Sequence, residues 1–125
     1  MDGELNTTRS SLDPITQLED DLKQVPADPL RFPRTTKLLS AGAAQQAKKM
    51  VEEAAELAIE AVRHDRDAAV REAADLVYNL VVLLEGMGIP FHEVCRELDR
   101  RRSTYGIAAK PPKAGTGSIE GSGAK

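Results

Sequence analysis

Apolar residues recur along the chain every three or four positions and nowhere alternate as in a half-buried strand, so the pattern predicts an all-α fold. The first helix is short. Asp13-Pro14 places a capping side chain before a proline at the first helical position, and Ile15, Leu18, Leu22 and Val25 follow in helical register. Pro26, Pro29 and Pro33 break that helix and predict an extended connector, which Thr35-Thr36-Lys37-Leu38-Leu39 ends before Gly42. From about 43 to 62 a second helix sets Met50, Ala54, Leu57, Ala58 and Ala61 on a broad apolar face, with Lys49, Glu53, Glu56 and Glu60 on the other side. The polar run 63–67 is the expected turn. A third helix, from about 68 to 85, holds an apolar run from Leu76 to Leu84 broken only by Asn79, too short and too charged at its start to cross a bilayer. Gly86-Met87-Gly88 turns the chain, and Pro90 opens a fourth helix with Phe91, Val94, Cys95 and Leu98 before Arg100-Arg101-Arg102.

The two central helices are expected to pair as an antiparallel hairpin with flanking helices. One short hairpin cannot surround residues 76–84, so a second copy of the chain is expected over the remaining face, completing a helical bundle in a homodimer. Residues 1–12 are polar and aperiodic and read as a mobile arm, residues 13–105 as the domain, and residues 106–125 as a low-complexity, disordered tail.

Composition sharpens this outline. A length of 125 residues leaves room for one domain, and with aromatics at 3% and no Trp, Ala, Leu and Val must fill its core. All nine Gly and seven Pro lie outside residues 43–85, which keeps the hairpin uninterrupted. A net charge of -3 excludes a generally basic coat for nucleic acid, yet it averages an acidic body with a basic end: residues 1–94 carry -7 and residues 95–125 carry +4. The single Cys95 makes no internal disulfide, and no basic-then-apolar leader opens the chain, so a cytoplasmic location is expected. His92 and Cys95 lack further ligands for zinc. There is no P-loop and no interleaving of aromatic and basic residues, so phosphate handling would fall to a metal and scattered cations.

The candidate chemistry is acidic. Glu52-Glu53-x-x-Glu56 stands on one helix and Glu72-x-x-Asp75 on the next, and Glu53 with Glu56, like Glu72 with Asp75, fall about 60° apart around their helices. A turn near Asp65 brings the two claws face to face. Converging carboxylates repel one another, and a divalent cation reverses the sign. Mg²⁺, or Mn²⁺ in its place, suits such oxygen ligands and leaves coordination open to a polyphosphate and an attacking water. Glu52, Glu53, Glu56 and Glu60 can also be the solvated side of an amphipathic helix, but Glu72 and Asp75 sit on a helix that is otherwise nearly all apolar, where unpaired acids are costly. Asn79, one turn beyond Asp75, could donate to a ligand oxygen or make a structural hydrogen bond.

Lys49-Met50-Val51-Glu52-Glu53-Ala54-Ala55-Glu56, followed by Glu72-Ala73-Ala74-Asp75-Leu76-Val77-Tyr78-Asn79-Leu80, resembles the MazG-like all-α nucleoside-triphosphate pyrophosphohydrolases. The closer resemblance is to the phosphoribosyl-ATP pyrophosphohydrolase family of histidine biosynthesis. It runs from about Ile15 to Tyr105 and takes in Thr35-x-Lys37-Leu38-Leu39-x-x-Gly42 and Glu97-Leu98-Asp99-Arg100-Arg101. The resemblance implies Mg²⁺-dependent hydrolysis of a nucleotide between its α- and β-phosphorus atoms, with Glu53, Glu56, Glu72 and Asp75 as metal ligands and Glu52 supporting the shell or positioning water. It implies phosphoribosyl-ATP as substrate, phosphoribosyl-AMP and pyrophosphate as products, and a dimer of helical subunits. Val51 stands where that family usually has Gly, Gln45-Gln46 where it has Lys-Ile, and Asn79 where it commonly has His.

Several cations are candidates for substrate contact, each with a plainer reading beside it. Lys49 can pair with Glu53 at i+4 or reach a phosphate. Lys37, with Thr35 and Thr36 at a helix start, can grip a phosphate there, or a threonine can simply cap the helix. Arg100 and Arg101 sit at a helix C-terminus, where cations are favoured in any case. A house-cleaning hydrolase of (deoxy)nucleoside triphosphates and a non-catalytic module binding a nucleotide or protein stay open as alternatives.

Overall fold

The computed structural model describes residues 13–106, 110, 111 and 113, and among these every regular element is helical. The expected N-terminal arm and nearly all of the expected tail lie outside the described residues. Helix α1 (Pro14–Gln24) runs into a 3-10 turn (Val25–Ala27), followed by α2 (Pro33–Ser40), α3 (Ala43–Arg63), α4 (Arg66–Gly86) and α5 (Phe91–Tyr105). Two compact units result, one ending at Phe91 and the other beginning at His92.

Asp13 caps α1 as its sequence predicts, accepting from the Thr16 N–H and the Thr16 hydroxyl at 2.8 Å each. These bonds hold the Asp13 carboxyl below its ordinary range. Helix α2 departs from expectation, since the proline-rich stretch predicted an extended connector up to Thr35. Pro33 instead occupies the first turn, where a missing N–H costs no hydrogen bond, and so it starts a helix that would otherwise lack a nucleus. Thr36 fixes that start, with its N–H on the Phe32 carbonyl at 2.8 Å and its hydroxyl on the Pro29 carbonyl at 3.0 Å. At the other end the buried Gln46 of α3 donates through Nε2 to the carbonyls of Leu38 and Leu39, at 3.1 and 3.2 Å. A two-turn helix is thereby closed at both termini by residues outside it.

Helices α3 and α4 pack along one another as the expected hairpin. The turn is tighter than residues 63–67 suggested, because each helix end is capped within it. The Asp65 N–H bonds the Glu60 carbonyl and the His64 N–H that of Ala61, while the Asp65 side chain accepts from Ala68 N–H at 3.1 Å. His64 adopts the left-handed conformation, φ 59° and ψ 30°, that glycine usually fills. His64→Gly is therefore expected to stabilise the domain by about 1 kcal/mol, a rise of roughly 4–8 °C in melting temperature by calorimetry.

Leu22, Val81 and Val82 form the buried centre, and Ile15, Leu18, Leu38, Leu39, Val77, Tyr78 and Phe91 pack against it. Helices α1 and α2 and the first residue of α5 thus cover one side of α4, and Glu19 of α1 accepts from the Phe91 N–H at 2.7 Å. The other side is thinner than the apolar run led one to expect: Leu76, Leu80, Leu83 and Leu84 stay half-buried, and of the expected α3 face Ala54, Ala58 and Ala61 are exposed. Outward-facing Val51, Ile59 and Val62 on α3 and Val70 on α4 are 55–80% exposed. Among the described residues no single helix is long and apolar enough to cross a membrane.

Candidate functional site

The hairpin register brings the acids together. Glu56 of α3 and Glu72 of α4 stand at similar distances from the turn, and one carboxylate oxygen each from Glu53, Glu56 and Glu72 lies within 4.8 Å of the other two. Of the four expected ligands, Asp75 is not in this convergent set. Its side chain is one methylene shorter, and it lines the adjoining cleft with Glu52 and Glu53.

The electrostatics of the cluster are adverse to the protein alone. Glu53 is only 6% exposed, and while its Oε1 lies 3.3 Å from Lys49 Nζ, its buried Oε2 has no hydrogen-bond partner. A hydrogen bond with Glu53, and then the charges of Glu53 and Glu72, hold the Glu56 carboxyl above its ordinary value. Lost hydration, followed by the charges of Glu53 and Asp75, pushes the Glu72 carboxyl up as well. A carboxyl whose pKa is raised by folding contributes stability below its unfolded pKa and loses that contribution as the pH rises through the folded one. At neutral pH the cluster therefore opposes folding. A divalent cation would remove the repulsion and give the orphaned Glu53 oxygen a partner, so this oxygen-only donor set fits Mg²⁺ or Mn²⁺.

A cleft of about 780 Å³ opens beside the cluster, between α2 and the hairpin. Thr35, Lys37, Lys49, Glu52, Glu53, Asp75 and Asn79, all singled out in the sequence, line it. Arg34, Gln45, Lys48 and Tyr78 line it too and were missed. For Arg34 and Lys48 a signal existed: Arg34 precedes Lys37 by three positions and Lys48 precedes Glu52 by four, so each shares a helix face with a residue already suspected. Tyr78 gave none, sitting inside an apolar run, yet its hydroxyl lies 2.6 Å from Thr35 Oγ1 and ties α2 to α4 across the cleft. The lining is bipolar, with cations from α2 and the start of α3 leading to acids from mid-α3 and α4.

The second unit carries the basic end. Glu97 receives Arg100 Nε and Nη2 at 2.9 and 2.7 Å and Arg101 Nε at 2.8 Å. The Arg100 and Arg101 hydrogen bonds pull the Glu97 carboxyl down to about 2. Both arginines suspected of substrate contact are thus engaged within their own helix.

Residues 16–102 match the family described as phosphoribosyl-ATP pyrophosphohydrolase. The chain is 49% identical over 81 residues to phosphoribosyl-ATP pyrophosphatase 2 of Bradyrhizobium diazoefficiens, a match covering 65% of this chain and 60% of that protein. It is 53% identical over 76 residues to the phosphoribosyl-ATP pyrophosphatase of Methylobacterium nodulans, covering 61% of this chain and 71% of that one. With the enzyme of that name from Roseobacter denitrificans the identity is 49% over 76 residues, 61% of this chain and 72% of the relative.

Proposed function

The chain belongs to the phosphoribosyl-ATP pyrophosphohydrolase family, and on that premise we propose that it hydrolyses phosphoribosyl-ATP to phosphoribosyl-AMP and pyrophosphate in histidine biosynthesis. One water is consumed, and the bond broken joins the α- and β-phosphoryl groups. The observation that carries the proposal is a three-carboxylate cluster that shares Glu53 with a cleft walled by Arg34, Lys37, Lys48 and Lys49.

In this reading Glu53, Glu56 and Glu72 hold Mg²⁺, with Asp75 beside them as the fourth ligand. When bound, the ion neutralises phosphate oxygens and lowers the pKa of a water. Glu52, on the cleft wall, would orient the attacking water, and Glu53 would help hold the ion and position that water. Thr35, Lys37 and Lys49 donate to phosphate oxygens. A cytoplasmic location accords with the free, exposed Cys95.

The partner is a second copy of the chain. At 100° per residue, Val51, Ile59 and Val62 fall on the side of α3 opposite Glu53, so α3 carries one apolar side toward its own core and another toward solvent. An isologous pairing of this stripe buries it.

The test is a panel of phosphoribosyl-ATP, ATP, the other ribonucleoside triphosphates and the deoxynucleoside triphosphates, assayed for pyrophosphate release with Mg²⁺ or Mn²⁺. Phosphoribosyl-ATP is expected to be the best substrate. A clear preference for a deoxynucleotide would transfer the site to house-cleaning chemistry, and turnover of nothing would defeat the enzymatic reading.

A further inference from the structure

Asn79 is 4% exposed and lines the cleft. Its Nδ2 donates to the Asp75 carbonyl at 2.8 Å. Only the amide nitrogen can partner a carbonyl, so this bond fixes the orientation of the group and leaves Oδ1 as the free end. Oδ1 is buried and has no hydrogen-bond partner. A buried acceptor left unpaired is costly, and no side-chain donor of the described residues reaches it. The sequence left Asn79 to donate either to a ligand oxygen or to a structural partner; its Nδ2 takes the structural bond, and Oδ1 is what remains for a ligand. Ionised phosphate oxygens have no proton to give.

Along a nucleotide the group that follows the α-phosphate is the ribose, and along α4 the residue one turn beyond Asp75 is Asn79. We infer that Asn79 Oδ1 accepts a hydrogen bond from a ribose hydroxyl of the bound nucleotide, and so distinguishes ribonucleotides from their deoxy counterparts. The inference deepens the function proposed above and rests on a nucleotide occupying this cleft.

Binding is measured by calorimetry with Ca²⁺ in place of Mg²⁺, so that no turnover is needed. The ligands are phosphoribosyl-ATP and its counterparts lacking the 2′- or the 3′-hydroxyl of the adenosine ribose. The wild-type chain is expected to bind at least one deoxy counterpart about tenfold more weakly than the parent. Asn79→Leu is expected to bind the parent about tenfold more weakly and to treat all three alike. Its melting temperature without ligand should not fall, because the orphaned acceptor is gone and the Asp75 carbonyl keeps its helical partner; Asn79→Ala serves if leucine does not fit. Equal binding of the three ligands by the wild type, discrimination that survives in the variants, or binding of none overturns the inference. Release of pyrophosphate with Mg²⁺ is read separately. Absence of turnover with hydroxyl discrimination intact would defeat the proposed reaction and leave this inference standing.

Discussion

Glu53→Gln is expected to lower pyrophosphate release from phosphoribosyl-ATP by about a thousandfold or more, with the helices intact by circular dichroism. The substitution keeps shape and removes one charge. In the proposed site Glu53 is shared by the carboxylate cluster and the cleft wall, and a metal site supplies several kcal/mol of transition-state stabilisation, about three decades of rate. Stability should move the other way. Glu53 is buried with one oxygen unpartnered, and its ion pair is with a half-exposed Lys49, a contact of small worth in water. In EDTA the variant should therefore melt no lower than the parent. Mg²⁺ at ten times its dissociation constant adds about 1.4 kcal/mol to the parent, a rise of roughly 6–11 °C, and this rise should vanish in the variant. Activity within tenfold of the parent would remove Glu53 from the metal site.

The double substitution Ile59→Asp with Val62→Asp is expected to convert an assembly of twice the 13.5 kDa chain mass into a monomer by sedimentation at micromolar concentration. Both side chains face solvent, at 55% and 80% exposure, on the side of α3 away from Glu53. Burial of each in an interface contributes about 1 kcal/mol, and two-fold symmetry counts each twice, so about 4 kcal/mol and a thousandfold in dissociation constant are at stake. A parent chain that is already monomeric would show that the stripe is not used by a second copy. The helices of the variant should persist, since neither residue belongs to the cluster around Leu22, Val81 and Val82.

Helical spacing made α1, α3, α4 and α5 legible in the sequence, because each has an apolar period or a cap that acts locally. Helix α2 was not. Its start depends on whether Pro33 ends an extended segment or opens a helix, and what decides is tertiary: Gln46, a polar residue of another helix, satisfies the carbonyls of Leu38 and Leu39. The site followed the same division. Glu53, Glu56 and Glu72 could be placed from residue spacing plus one turn, whereas the separation of Asp75 from them depends on side-chain length and the approach of two helices. Tyr78 and the polarity of Asn79 were hidden because a hydroxyl or an amide in an apolar run shows its role only when its partner across the fold, or the lack of one, is known.

The amide of Gln46 also has a far side. While Nε2 holds the end of α2, Oε1 lies 3.1 Å from where a Cβ on Gly86 would stand, at the last residue of α4. Even a methyl group at position 86 would displace that amide by a few tenths of an ångström and disturb the helix that presents Arg34, Thr35 and Lys37 to the cleft. Positions 46 and 86 are thus sterically coupled, the absent side chain of one making room for the amide of the other. The cationic wall of the cleft thus depends on two residues, Gln46 and Gly86, that do not line it.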